Sequence, residues 1–199
     1  MANTIAIHRA TIAAPRTVSA PRWAIWAATA AALAPLPSGL WRIAGACGVP
    51  LGFSDDVLGD LSLGSRESLY MIALSVFAEA LGFLALGLVR NWGELFPRWI
   101  PVAGGRRVPI SAAVVPAALG ALVLTMLGVF GIFGWNNADN MGHPDAPNGV
   151  AYWVMTLCYS PLVLWGPMLA IATIGYYARR TRTTVKAGRH QARVDGTSI

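Results

Sequence analysis

The chain has 199 residues, 55% of them hydrophobic and only 12% charged, with a mean hydropathy of +0.53. This composition excludes an ordinary soluble domain and specifies an integral membrane protein whose whole length one helical bundle uses. A formal charge of +6 at pH 7 raises nucleic acid as a partner, and the placement of the charges along the chain argues against it.

Residues 1–22 carry Arg9, Arg16 and Arg22 with Pro15 and Pro21 and show no apolar period, which predicts a flexible basic tail. Trp23 to Trp41 is uncharged. As a helix rising about 1.5 Å per residue it crosses a hydrocarbon core of ~30 Å, with Pro35 and Pro37 kinking its outer half. Arg9 to Cys47 also has the outline of a secretory leader ending at Ala44-Gly45-Ala46-Cys47. Arg42 in the cleavage region and Ala44 in place of a larger aliphatic residue count against that reading.

Cys47 to Glu67 is an acidic connection in which Leu58, Leu61 and Leu63 are spaced to dip one face of a short helix into the interface. Asp55, Asp56 and Asp60 do not follow a calcium-loop spacing, so a solvated loop is the expectation. Two cysteines, Cys47 and Cys158, make no disulfide framework and neither belongs to a CxxC pair.

Ser68 to Val89 is the second span and the only one of the four without proline, so its backbone ladder should run unbroken. It holds one ionisable residue, Glu79, and is expected to be the central, straight helix around which the rest of the chain is organised. Ser75, Ala78, Gly82 and Ala85 recur at spacings of three and four on the stripe that contains Glu79. Small residues at this spacing let helices approach closely in lipid, and the carboxyl therefore points into the bundle. Facing lipid it would cost at least about 2.5 kcal/mol on insertion scales.

Arg90 to Pro109 interleaves Trp92, Phe96, Trp99 and Ile100 with Arg90, Arg98, Arg106 and Arg107. Rings at the boundary and guanidinium groups reaching phosphates suit a headgroup zone, so Arg90, Trp92, Arg98, Trp99, Arg106 and Arg107 are candidate lipid-headgroup contacts. Ile110 to Phe133 is the third span, bent near Pro116, with Ala112, Pro116 and Gly120 in one row of small residues. Trp135 to Gly149 is turn chemistry. Val150 to Ala178 is the fourth span, kinked at Pro161 and again near Pro167, and residues 179–199 should form a disordered basic tail.

Thirteen of the fifteen Lys and Arg fall in the N-terminal tail, the connection after the second span, and the C-terminal tail. Acidic residues concentrate in the other two connections. This alternation is the positive-inside pattern and predicts an all-α, four-helix bundle in a bacterial plasma membrane with both termini cytoplasmic. Anionic lipid headgroups are then the expected partners of the basic face, and nucleic acid is not.

At WGELFPRWIPVAGGRRVP (Trp92 to Pro109) and YSPLVLWGPMLAIATIGYYARR (Tyr159 to Arg180) the chain resembles a group of uncharacterised small four-helix integral membrane proteins of actinobacteria. The likeness runs from about Tyr70 to Arg180. It implies the topology and no activity.

The three histidines, His8, His143 and His190, fall in different connections and cannot form one metal site. No phosphate loop, HExxH or GxSxG occurs, and no cofactor is implied. Counting rise from each interface brings Glu79, Thr125, Tyr159 and Ser160 to broadly similar depths, with Arg42 able to reach inward. These five are the candidate ligand- or proton-binding residues. Three functions are open on this reading. The first is a non-catalytic accessory or interaction component, with a membrane-protein partner or a second copy as its companion. The second is a binder or carrier of a proton, cation, lipid or quinone using Glu79. The third is an intramembrane lipid- or quinone-modifying enzyme with Glu79 or Tyr159 as acid or base and Cys158 as a weak nucleophile candidate. The first is the expectation, because no catalytic motif and no large extramembrane domain is present.

Overall fold

Prolines and hydroxyl side chains set where the helices break and begin. In the computed structural model of the protein, which describes residues 20–54, 64–94, 105 and 108–195, the first span is two helices, α1 (Arg22–Leu33) and α2 (Leu36–Ala46). They divide at Ala34 and Pro35 as expected, since Pro35 and Pro37 supply no N–H to the preceding turn. The second span is α3 (Arg66–Gly87). It starts two residues before the sequence estimate because Ser65 caps it, accepting from Ser68 N at 3.1 Å. A short 3-10 turn (Asn91–Glu94) follows.

The third span is α4 (Ile110–Gly134), which holds Pro116 within a continuous helix. The fourth is α5 (Gly149–Tyr159) followed by α6 (Leu162–Asp195). Pro161 causes that break: its missing N–H leaves Leu157 O without its helical donor, and the Ser160 hydroxyl donates to that carbonyl at 3.0 Å instead. Pro167, in contrast, lies within continuous helix.

Two expectations need correction. The chain after Ala178 is not a disordered tail, for α6 continues to Asp195. Residues 178–195 contain one glycine and no proline, among several strong helix formers. The other concerns the centre of the bundle, which is the first span and not the second. Ala24, Ala27, Ala28, Ala31 and Ala34 repeat at helical spacing and are all buried, against α3 on one side and α6 on the other. The small-residue stripe of α3 faces this row: Ser75, Gly82 and Ala85 are buried, and a Cβ on Gly82 would sit 3.1 Å from Ala32 O.

The spans are therefore arranged in the order second, first, fourth, third, and α4 packs chiefly along α6. At their crossing a Cβ on Gly166 would collide with Thr125 N and Oγ1 and lie 2.8 Å from Ala121 O. At the other α6 contact a Cβ on Gly175 would come within 2.6 Å of Ala24 Cβ. The described residues form no strand, and all four spans are long and apolar enough to cross a membrane.

One end of the bundle is tied together by arginine. Arg179, 7% exposed, donates from Nη2 to Leu88 O at 3.0 Å, and Arg180 donates to Val108 O at 2.7 Å. Leu88 is the C-cap of α3, so the guanidinium satisfies a terminal carbonyl at the negative end of that helix. Both arginines also lie over the Tyr176 ring, at 5.8 and 5.7 Å from its centre. Arg179→Met keeps the chain's bulk and removes the donor, and is expected to cost about 2 kcal/mol. A lower melting temperature of the purified protein in detergent is the readout.

Candidate functional site

The polar centre lies where α2 crosses α3, and it is built around a serine. Ser75 donates its hydroxyl to Met71 O at 2.8 Å, the usual back-bond of a serine within a helix, which fixes the hydroxyl and leaves its lone pairs facing α2. Arg42 takes one of them, donating from Nε at 2.9 Å. The guanidinium also stands over the ring of Tyr159 at the end of α5, 5.8 Å from its centre, and Trp135 packs against the same ring, with centres 5.6 Å apart and a 48° tilt.

Glu79, one turn along α3 from Ser75, comes to the same crossing through Gly39. A Cβ on Gly39 would lie 3.0 Å from Glu79 Oε1 and 3.9 Å from Ser75 Cβ, so the absence of a side chain at Gly39 is what lets the carboxyl tuck against α2. Oε1 is buried and has no hydrogen-bond partner. Arg42 thus spends its Nε on Ser75 rather than on this oxygen, although its charge acts on both Glu79 and Tyr159. The arrangement provides a fixed positive charge, a carboxyl with one unused oxygen, and a phenol, held by three different helices.

Of the five binding candidates read from sequence, the structure brings Arg42, Glu79 and Tyr159 together and sends the other two elsewhere. Thr125 donates to Ala121 O at 2.7 Å and faces Gly166 at the α4–α6 crossing. Ser160 is exposed and bonded to Leu157 O. It borders a separate apolar cavity of about 420 Å³ between α4 and the α5–α6 break, along with Trp135, Thr156 and Tyr159. Ser75 and Gly39 are the site residues that the sequence reading missed in this role. Ser75 stands on the small-residue stripe, and a serine one turn from the lone carboxyl is the available signal. Gly39 carried no such mark.

Among the headgroup candidates, Arg90 is exposed at the end of α3. Trp92 turns back along α3, stacking on Phe83 at 5.4 Å and lying against Gly87. Arg98, Trp99, Arg106 and Arg107 lie outside the described residues, as do Leu58, Leu61 and Leu63. Cys47 and Cys158 are both free thiols. Among the described residues no three His, Cys, Asp or Glu side chains converge.

These features define an all-helical bundle with four membrane-length apolar helices and a polar crossing between its first two spans. In comparisons with known proteins, no family model, curated protein or solved structure matches the chain.

Proposed function

We propose that the chain is a multi-pass protein of a bacterial plasma membrane, with both termini cytoplasmic, acting as a non-catalytic accessory or interaction component. Kinship with the small actinobacterial four-helix proteins belongs to the same proposal. Membrane insertion is supported by the side chains that each span turns outward. Trp26, Leu40, Phe77, Phe83, Phe130 and Phe133 are at least 60% exposed, whereas alanine, glycine and serine fill the interior. That is the reverse of a soluble bundle and suits lipid as the solvent. Clustering of Arg22, Arg90, Arg179 and Arg180 at one end supports the orientation.

The observation that carries the accessory role is where the internal hydroxyls go. Ser38, Ser75, Thr125, Thr156 and Thr173 each donate to a carbonyl of their own helix, at 2.7 to 2.9 Å, so they serve the fold before any solute. A second reading, intramembrane binding or transport of a proton, cation or small polar group, is favoured by one observation, the unpartnered buried Oε1 of Glu79.

Two measurements test these readings. In a background of Cys47→Ser and Cys158→Ser, a membrane-impermeant thiol reagent applied to intact cells should label Asn140→Cys and spare Ser198→Cys. The reverse labelling overturns the orientation. In proteoliposomes carrying an internal pH dye, the purified protein should collapse no imposed proton gradient. A flux that Glu79→Gln abolishes would overturn the accessory role in favour of the second reading.

A further inference from the structure

We propose that the crossing of α2 and α3 is a binding site for the hydroxyl group of a neutral apolar alcohol from the bilayer, its oxygen accepting from Arg42 and donating to Glu79. The inference rests on the membrane-embedded reading above, needs binding alone and no transport, and gives the small polar group of the second reading a chemical class.

The two charged groups at the crossing do not satisfy one another. Among the described residues no nitrogen of Arg42 lies within 4.0 Å of a Glu79 oxygen, and the carboxyl takes no hydrogen bond from any side chain or backbone group. A guanidinium has five N–H donors. The one on Nε goes to Ser75 Oγ at 2.9 Å, and among the described residues the others have only the Tyr159 phenol within reach. The charge of Arg42 nevertheless acts on Glu79. A cation at the carboxyl would be repelled by Arg42, and an anion at the guanidinium by Glu79, so the pair selects a neutral group. That group must accept and donate at once. A hydroxyl oxygen making two hydrogen bonds of about 2.8 Å bridges partners about 5 Å apart, which an ether or a ketone cannot do because neither donates.

Depth and surroundings define the rest of the molecule. Glu79 stands thirteen residues from Arg66 and eight from Gly87, about 20 and 12 Å of rise, so the crossing is at the depth of hydrocarbon. Arg42, Glu79 and Tyr159 are each partly exposed, and at that depth what meets them is lipid and not bulk water. The Tyr159 ring, with Arg42 over it, is also a wall of the apolar cavity of about 420 Å³ between α4 and the α5–α6 break. This volume is within the roughly 300–1,000 Å³ of small-molecule sites. The cavity's other polar side chains are already engaged. Trp135 donates to Thr156 Oγ1 at 3.1 Å, Thr156 to Tyr152 O at 2.8 Å and Ser160 to Leu157 O at 3.0 Å, while Asn136 accepts from Tyr152 at 2.8 Å. The cavity therefore offers an occupant apolar contact, and the polar end of that occupant is drawn toward Tyr159 and Arg42.

The test uses the full-length protein, stripped of lipid in detergent, with a diazirine-bearing analogue of the isoprenoid alcohol farnesol as a photoreactive probe and peptide mass spectrometry to locate the label. Labelling is expected on residues bordering the cavity or the crossing. Farnesol should compete at least about tenfold better than farnesyl methyl ether, which keeps the acceptor and lacks the donor, the scale of one hydrogen bond to a charged group. Glu79→Leu removes the carboxyl and should bring the two competitors level. Gly131→Leu fills the cavity from a position where a Cβ meets nothing within 4 Å, so it should abolish labelling without lowering the melting temperature. That variant keeps the test decisive if Glu79→Leu destabilises the fold. Equal competition by alcohol and ether in the unaltered protein, label outside the cavity and crossing, or labelling unaffected by Gly131→Leu overturns the proposal. Absence of labelling overturns it too, and magnetisation transfer from water to the Arg42 guanidinium in the NMR spectrum would then identify water as the bridging oxygen. Binding in detergent depends on neither orientation nor flux, so its failure is distinguishable from reversed thiol labelling and from a proton flux in proteoliposomes.

Discussion

Gly166→Ala is expected to be among the most damaging single substitutions in the molecule, out of proportion to the one carbon it adds. Most positions on a membrane helix accept alanine readily. At Gly166 the new Cβ meets the backbone of α4 at Thr125 and Ala121, together with the Thr125 hydroxyl, which is itself committed to Ala121 O. None of these is the loose end of a side chain that can swing aside. Relief requires α4 to move away from α6, and α4 has no other extensive neighbour. Overpacking of this kind costs about 3 kcal/mol, and here it falls on the contact that retains a whole span. Gly131→Ala is the control, since a Cβ there meets nothing within 4 Å. Unfolding of the purified variants in mixed micelles should show a large loss for Gly166→Ala and none for Gly131→Ala. Equal behaviour would mean that α4 does not approach α6 as described.

The second large effect is expected at the polar crossing, and it has the form of a non-additive pair. Arg42→Met removes the donor to Ser75 Oγ and the positive charge beside Glu79, leaving the carboxyl in the bundle without compensation. Stranding a buried polar group costs about 2 kcal/mol, more where it is charged. Replacing both groups, in Arg42→Met with Glu79→Leu, removes the stranded group as well and should recover most of that loss. Thermal unfolding of the two single variants and the double gives the coupling directly. Additive losses would show that the two side chains do not act on one another, and the crossing would then owe its stability to Ser75 and Gly39 alone.

The number of helices and their approximate ends follow from apolar runs and prolines, because a bilayer admits few alternatives to a continuous helix. The division of the first span at Pro35 and of the fourth at Pro161 is a direct effect of a missing N–H and needs no tertiary information. What resisted reading was which span sits at the centre. The lone carboxyl drew attention to α3, whereas the repeat Ala24, Ala27, Ala28, Ala31 and Ala34 marks the span that two others grip. That repeat was visible in the sequence but obscured by the alanine-rich composition around it. The site was half legible for a related reason. Glu79, Arg42 and Tyr159 share a depth and converge, but equal depth does not fix azimuth. Thr125 therefore belongs to another crossing and Ser160 to another cavity.

The length of α6 bears on how far the chain would reach from a membrane surface. From Tyr177 the helix runs eighteen residues further to Asp195, or about 27 Å of rise. In physiological salt the field of a charged surface decays over a Debye length of ≈ 8 Å. If the helix stands along the bilayer normal, only its first turns, at Arg179, Arg180 and Arg182, are within range of lipid charge. The last turns of the helix, up to Asp195, would then fall beyond that range. One continuous rod of this length thus reaches well past the zone in which a charged surface acts.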